Sequence, residues 1–477
     1  RPFTPLGQRK AELSKLIQEA MVKTGAPGLS LAVIEQGKLT WAAGFGVQEL
    51  DKPGKVTADT RMMIGSVSKS LSTLMMATLV DAKKLEWTAP VHKVYPAFKL
   101  GDPKLTSTLT VEQLVCACAG IPRKDLPLIV EFANKGASNV FQELSLMRPS
   151  TGLKETFQYQ NHMVAAGGYV AASVLGDSDD LGAAYDLAMV ERVFKPLGMA
   201  RTTLAFDAAI KDPDHATPHS EDLMAAHHVV PISHERFASY IRPSGGIWST
   251  ANDMARYVMA ELARGKLPGG GVVASEANLT RRWQPQVKIS DKASYGLGWI
   301  TAKNRGLRQI SHGGGTMGFG TLVAFLPHKG AGLVAISNGT GGHQVNALIW
   351  RRLIELWFNA KPRAEERLRF DMTRKKQSLA QLKARMSVPD KAFMAPHVGT
   401  FDNPEMGTFK IYPVKGGYEL DAGEFKTTLM RHDRPDGKSV LIFSSPPLAG
   451  LQLIPQEGKP GQLEMRRGQE KYLLVRK

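Results

Sequence analysis

Apolar residues recur along the first 360 positions with two periods, and the switches between them divide the chain. Residues 8–23 carry Leu13, Leu16, Ile17 and Met21 at the spacing of one helix face. Two runs rich in β-branched and apolar residues follow, 28–35 and 38–45, and the Gln36-Gly37 break between them predicts a hairpin. Over 66–83, Leu71, Leu74, Met75, Thr78, Leu79 and Ala82 again mark a helix. From about 90 to 260 the pattern is mainly helical and loop-rich, including 110–117 and 162–175, and predicts an all-α portion. After Tyr295-Gly-Leu-Gly-Trp299 short strands return near Thr301 and over 308–312, 322–326 and 332–337, with His328-Lys-Gly330 as a turn. A helix over 343–358, striped by Val345, Leu348, Ile349, Leu353 and Leu356, closes this part. The pattern predicts an α/β fold: an antiparallel sheet completed by segments far apart in sequence, flanked by helices and interrupted by the all-α insertion.

The remainder has a different texture. A charged helix over 363–386 gives way to short alternating runs at 408–413, 418–420, 426–430, 439–443, 451–454 and 472–475, punctuated by Pro404, Gly416-Gly417, Pro435-Asp436-Gly437 and Gly458. Such spacing predicts a small C-terminal antiparallel β-barrel or sandwich. The expected division is 1–362 as catalytic domain, 363–390 as linking helix and 391–477 as barrel-like domain. The last either limits substrate length over the cleft or serves as an oligomer contact or passive stabiliser.

Composition narrows the picture. With 43% hydrophobic and 22% charged residues the chain is globular, and no apolar run reaches the ~18 residues of a membrane span. It opens on Arg1 without a basic-then-apolar leader, which reads as a mature or trimmed form; a periplasmic or secreted location is expected. The net charge of +17 would suit an anionic partner, yet the densest basic cluster, from Arg363 to Arg385, carries a single aromatic, Phe370, among its charges. Nucleic-acid binding is therefore not expected. Cys116 and Cys118, separated by Ala117, read as buried small hydrophobes, because that spacing rarely suits an unstrained disulfide. His227-His228 reads as loop surface, and no metal or other cofactor is expected.

The candidate chemistry begins with the one Ser-x-x-Lys of the chain, Ser66-Val-Ser-Lys69. Three residues apart on a helix, the two side chains share a face at about 5–6 Å, so an amine can reach a hydroxyl. A hydroxyl becomes a useful nucleophile when a neighbour takes its proton, and a lysine in a dry place can be neutral enough to do so. The implied chemistry is acyl transfer through a covalent ester. The one Tyr-x-Asn, Tyr159-Gln-Asn161, adds a candidate phenolate, whose pKa a nearby ammonium would lower. At the end of the strand over 308–312, His312-Gly313-Gly314-Gly315-Thr316 lets a substrate approach the backbone closely. An N–H from this run, with that of Ser66, would form an oxyanion hole.

The order Ser-x-x-Lys, Tyr-x-Asn, His-x-Gly, with sheet at both ends and helices between, resembles the serine β-lactamase and penicillin-binding protein superfamily over about residues 10–360. The tyrosine motif resembles the class C β-lactamase branch. Asp59-Thr60, the run from Gly245-Gly246 to Asp253, Tyr295-Gly-Leu-Gly-Trp299 and Gly315-Thr-Met-Gly-Phe319 are further local matches. The resemblance implies Ser66 as acylated nucleophile, Lys69 and Tyr159 as the proton-handling pair, Asn161 as a hydrogen-bonding positioner, and His312-Gly-Gly314 as the strand beside the nucleophile. It assigns the oxyanion hole to the N–H groups of Ser66 and Gly315. Where β-lactamases carry lysine this chain has His312, which supplies less charge for a substrate carboxylate and resembles D-aminopeptidase-type peptidases and related esterases. The expected function is hydrolysis, through an acyl-enzyme on Ser66, of an amide or peptide bond in a small-molecule or peptide substrate, D-residue-containing or modified peptides included. A carboxylesterase on short acyl esters and an inactive peptidoglycan-fragment- or peptide-binding protein are the alternatives, and the number of subunits is left open.

Overall fold

The structure is a computed structural model that describes residues 2–176 and 178–477; Arg1, on which the reading of a mature or trimmed chain rests, lies outside them. The strand Gly28–Glu35 (β1) is buried at all eight positions, which fits a run with no polar face. It lies between Lys38–Gly46 (β2) and the last strand of an eight-stranded antiparallel sheet. That sheet also contains Val287–Ser290 (β3), Ala293–Tyr295 (β4), Ile300–Asn304 (β5), Leu307–Gly315 (β6), Gly320–Leu326 (β7) and Ala331–Ser337 (β8). The spatial order is β2-β1-β8-β7-β6-β5-β4-β3, with β1 and β8 in register from Leu29↔Ser337 to Ile34↔Gly332. Strands β3 and β4 precede the Tyr295 motif, where the sequence predicts no sheet. They carry no apolar run, since only Val287 of β3 is buried.

Because side chains alternate along a strand, β1 feeds two cores. Leu29, Leu31 and Val33 pack with Leu13 and Ile17 of the helix Lys10–Thr24 (α1) and with Val345, Leu353 and Trp357 of the helix Gly342–Trp357. Ala32 and Ile34 face the larger core beneath the helix Ser68–Asp81 (α2). The stripe expected on α2 is only part of its burial: every residue from Ser68 to Leu79 is buried. The small polar residues allow this because each finds a hydrogen-bond partner. Ser72 Oγ donates to Pro243 O at 2.6 Å, and Thr73 Oγ1 to Leu297 O at 3.0 Å.

The insertion is not all-α. His219–Glu221 pairs with His227–Val229, and Met62–Met63 with Trp248–Ser249. Strands of two or three residues leave no periodic trace in a sequence. His227 is thus strand rather than loop surface, its side chain 4% exposed, while the His228 side chain is exposed and bonds Asp222 at 2.8 Å. The helices expected over 110–117 and 162–175 are Val111–Leu114 and Asn161–Ser173. Cys116 and Cys118 form a disulfide instead of packing as separate thiols. Ala117 takes a left-handed φ of 52°, and this turn brings the two Cα atoms to 5.1 Å.

Beyond the helix Ala364–Lys383, eight antiparallel strands from Gly399–Asn403 to Glu470–Arg476 form a barrel. It is closed by pairing of Lys426–Asp433 with Ser439–Phe443. Two of these strands, Gly399–Asn403 and Gln462–Arg467, are absent from the sequence prediction. The charged helix stops at Lys383, short of 386, because Met386–Ser387 joins the barrel as an added strand beside Arg431 and His432. Among the described residues no helix is long and apolar enough to cross a membrane.

Candidate active site

Ser66 stands in the 3-10 turn Gly65–Val67, directly before α2. The glycine run of β6 lies against this turn so closely that side chains are excluded. A Cβ on Gly314 would run into Ile64 O, and one on Gly65, whose φ is +53°, would come within 2.8 Å of Gly315 N. Strand β6 pairs with β7 as far as Gly315↔Gly320, but its pairing with β5 ends at Ser311↔Ile300. Residues 312–315 therefore present an unpaired edge beside Ser66, with room for an extended substrate backbone.

Lys69 is fully buried. Its Nζ lies 2.6 Å from Asn161 Oδ1, 2.7 Å from Ser244 O and 3.1 Å from Ser66 Oγ. The first two oxygens can only accept, so they take two N–H bonds and leave the third direction of the nitrogen pointing at the serine. Burial pushes the amine's pKa well below 10.5; the Asp125 charge opposes that shift and Arg123 adds to it. A neutral Lys69 directs its lone pair at the Ser66 hydroxyl.

The Tyr159 ring, partly open to the cleft, lies with its centroid 4.7 Å from Lys69 Nζ and 5.0 Å from the Arg123 guanidinium. The lowered pKa expected of this tyrosine is not found. Burial raises it, outweighing the Ser66 hydroxyl and Arg123, so the phenol stays protonated. The second expectation to change concerns His312. It is buried, its Nδ1 lies 2.6 Å from Gly313 O, and its Nε2 lies 3.0 Å from the Tyr295 hydroxyl. A carbonyl only accepts, so these partners assign the proton to Nδ1 and make Nε2 the acceptor from Tyr295. Burial, with any charge on Lys69, pushes the imidazole down to about 3, against the Gly313 bond. At ordinary pH it is neutral and offers a substrate carboxylate no positive charge.

Ser66, Tyr159, Asn161, His312, Gly314 and Gly315 share one cleft of about 600 Å³, with Lys69 directly beneath Ser66. Sequence reasoning misses Arg123 and Asp125, which complete it. Asp125 accepts from Asn161 Nδ2 at 2.8 Å and pairs with Arg123, which fixes the amide so that its oxygen faces Lys69. No motif marks these residues; their only sequence signal is a charged triplet, Arg123-Lys-Asp125, inside an otherwise apolar stretch. Also unforeseen in detail are Pro447, Leu448 and Arg467, by which the barrel lines the far side of the cleft.

One carboxyl holds the cleft floor. Glu235, fully buried, accepts from Thr316 Oγ1 and Gly318 N at 2.9 Å and from Met317 N at 3.3 Å. Burial raises it from 4.5 to about 7 against those bonds. A carboxyl whose folded pKa is raised adds stability that is complete below its unfolded pKa and falls as pH rises through the folded one. Unfolding free energy should therefore decline between pH 4.5 and 7 by on the order of 3 kcal/mol from this group. Urea titrations of wild type and Glu235→Gln at pH 5 and pH 8 check this; an equal pH dependence in both proteins contradicts it.

Comparison with known proteins bears on the family and the fold. The unguisins hydrolase ungD' of Aspergillus campestris is 27% identical over 349 residues, covering 70% of this chain and 62% of the relative. Protein flp of Staphylococcus aureus is 24% identical over 332 residues, covering 69% and 62%. The matched region spans less than two thirds of these relatives' length. The octameric penicillin-binding protein homologue of Pyrococcus abyssi superposes with a TM-score of 0.65 at 19% identity, covering 98% of this chain and 99% of that one, a likeness of fold that extends through the barrel. With the beta-lactamase family model matching residues 13–356, the whole stretch that builds the sheet, α2 and the serine–lysine pair, the chain belongs to the beta-lactamase family.

Proposed function

We propose that this protein is a serine hydrolase that cleaves an amide or peptide bond through an acyl-enzyme on Ser66. The observation that carries the reading is the buried Lys69 amine, with two of its positions held by obligate acceptors and the third 3.1 Å from Ser66 Oγ. Neutral Lys69 takes the serine proton as Oγ attacks the acyl carbon. The developing oxyanion is met by the N–H groups of Ser66 and Gly315. Tyr159, held as a phenol, donates its proton to the leaving nitrogen, and Lys69, whose Nζ lies 4.7 Å from that ring's centroid, gives up its extra proton to the resulting phenolate, so that the net transfer is from Ser66 to the leaving amine. Water then attacks the ester with the same groups acting in reverse.

Amide cleavage is favoured over ester cleavage because a protonated phenol beside the nucleophile supplies the proton an amine leaving group needs and a good alkoxide does not. Neutral His312 argues against substrates that require a fixed cation at that position, β-lactams included. The Cys116–Cys118 disulfide is in keeping with the periplasmic or secreted location expected from the sequence. A panel of peptide amides, with L- and D-residues, against esters of the same acyl groups tests the proposal. Turnover of amides is expected; turnover of esters alone would replace the peptidase reading with a carboxylesterase.

A further inference from the structure

The barrel does more than line the cleft. The tip of its hairpin, where Arg467 pairs with Glu470 across a turn, touches the catalytic half at the segment that carries Arg123 and Asp125. Glu470 is buried, and its Oε2 accepts from Asp125 N at 2.9 Å, Leu126 N at 3.0 Å and the Tyr472 hydroxyl at 3.0 Å. From there the contacts run inward without a gap. Asp125 Oδ1 accepts from Asn161 Nδ2 at 2.8 Å, Asn161 Oδ1 from Lys69 Nζ at 2.6 Å, and Lys69 reaches Ser66 at 3.1 Å.

We propose that Glu470 of the barrel is a positioning residue for the Lys69–Ser66 pair, acting through Asp125 and Asn161. The inference rests on the acyl-enzyme reading of the site. Two buried N–H groups lose their acceptor if Glu470 is removed, and the Asp125 backbone is left with the bond its carbonyl accepts from Ile129 N at 3.3 Å. Two other barrel carboxylates grip the same segment without entering this chain of contacts. Glu405 pairs with the Lys124 side chain, and Glu424 accepts from Ala133 N at 2.9 Å, eight residues beyond Asp125. They supply an internal control, because they bind the segment but do not touch the residue that orients Asn161.

The charged and titratable groups around the two ends are few. Lys69 faces Asp125, Arg123, Tyr159 and His312, and Glu470 faces Asp125, Arg123 and Tyr472. Among the described residues, Asp125 is the negative charge that favours the protonated lysine. Releasing it makes Lys69 a weaker base, so the acid limb of kcat/KM moves to lower pH.

The experiment uses the full chain with p-nitrophenyl acetate, following kcat, KM and kcat/KM from pH 4 to 10. Glu470→Ala should lower kcat about 10–100-fold with little change in KM, the cost of a misplaced catalytic group, and shift the acid limb downward. Glu470→Gln, whose carbonyl oxygen accepts from the same two N–H groups, should restore kcat to within about threefold and return the limb to its place. Glu424→Ala should leave both unchanged. A wild-type kcat and limb in Glu470→Ala overturns the proposal, as does the same shift in Glu424→Ala, which would reduce the effect to general loosening. If Glu470→Ala does not fold, Tyr472→Phe replaces it: a smaller shift in the same direction supports the proposal and no shift overturns it. These outcomes concern the barrel alone; failure of the acyl-enzyme reading shows instead in Ser66→Ala.

Discussion

Ser66→Ala is expected to lose all measurable turnover and all labelling by a fluorophosphonate probe. The substitution removes one oxygen from a part-exposed side chain in a 3-10 turn whose backbone is held by neighbouring packing, so the fold should persist. What disappears is the atom that the proposed mechanism acylates. Without it, Lys69 and Tyr159 have no nucleophile to activate, and the oxyanion donors alone account for only a small residue of the rate. A decline on the order of 10⁴–10⁶-fold in kcat is the scale for such sites. Intact mass after exposure to substrate gives a second readout, since an acyl adduct should form on wild type and not on the variant. Labelling or turnover that survives would remove Ser66 from the mechanism and with it the acyl-enzyme.

Lys69→Met should have the next largest effect, lowering kcat about 10²–10⁴-fold, the contribution of a general base. Methionine retains most of the length and suits a buried site. It leaves Asn161 Oδ1 and Ser244 O without their donor, a cost of about 1–3 kcal/mol each that a well-packed domain can absorb. The pH dependence is more diagnostic than the rate. In wild type kcat/KM should rise as pH rises through the pKa of Lys69, which burial places well below 10.5, because only the neutral amine takes the serine proton. That limb should be absent from Lys69→Met and present in Tyr159→Phe, since Tyr159 is held protonated over the same range. A limb that survives in Lys69→Met would assign proton removal to another group.

The parts of the site written in short stretches of chain were legible. Ser66 and Lys69 lie three residues apart on one helical turn, and a local spacing survives whatever the rest of the chain does. The glycines of 313–315 were legible as a place of close approach; that Ile64 and Gly65 are what approaches depends on a contact across about 250 positions. Asp125 was invisible because an isolated acid in a loop looks like any solvated charge. Glu470 was harder still, 345 residues from the backbone N–H it holds. The pair Cys116 and Cys118 was misread because spacing alone does not reveal a left-handed alanine between them. The three-residue strands of the insertion failed for lack of length, since a period of two needs four or more residues to register. The two missing barrel strands are longer, but the apolar residues they bury are only Phe401 in one and Leu463 and Met465 in the other, too few to mark a period.

The amino-acid sequence by itself determined the long helices and strands that carry a clear period, the split into a sheet-and-helix part and a C-terminal barrel, and which hydroxyl, amine and phenol are present for the proposed chemistry. These follow from local periodicity and residue chemistry, which need no knowledge of distant contacts. Only the tertiary structure decided their protonation. Burial of Lys69 between Asn161 and Ser244 lowers its pKa, the same burial raises that of Tyr159, and His312 is neutralised between Gly313 and Tyr295. A pKa depends on the water and charge surrounding a group, and here those surroundings are assembled from segments that meet only when the chain is folded.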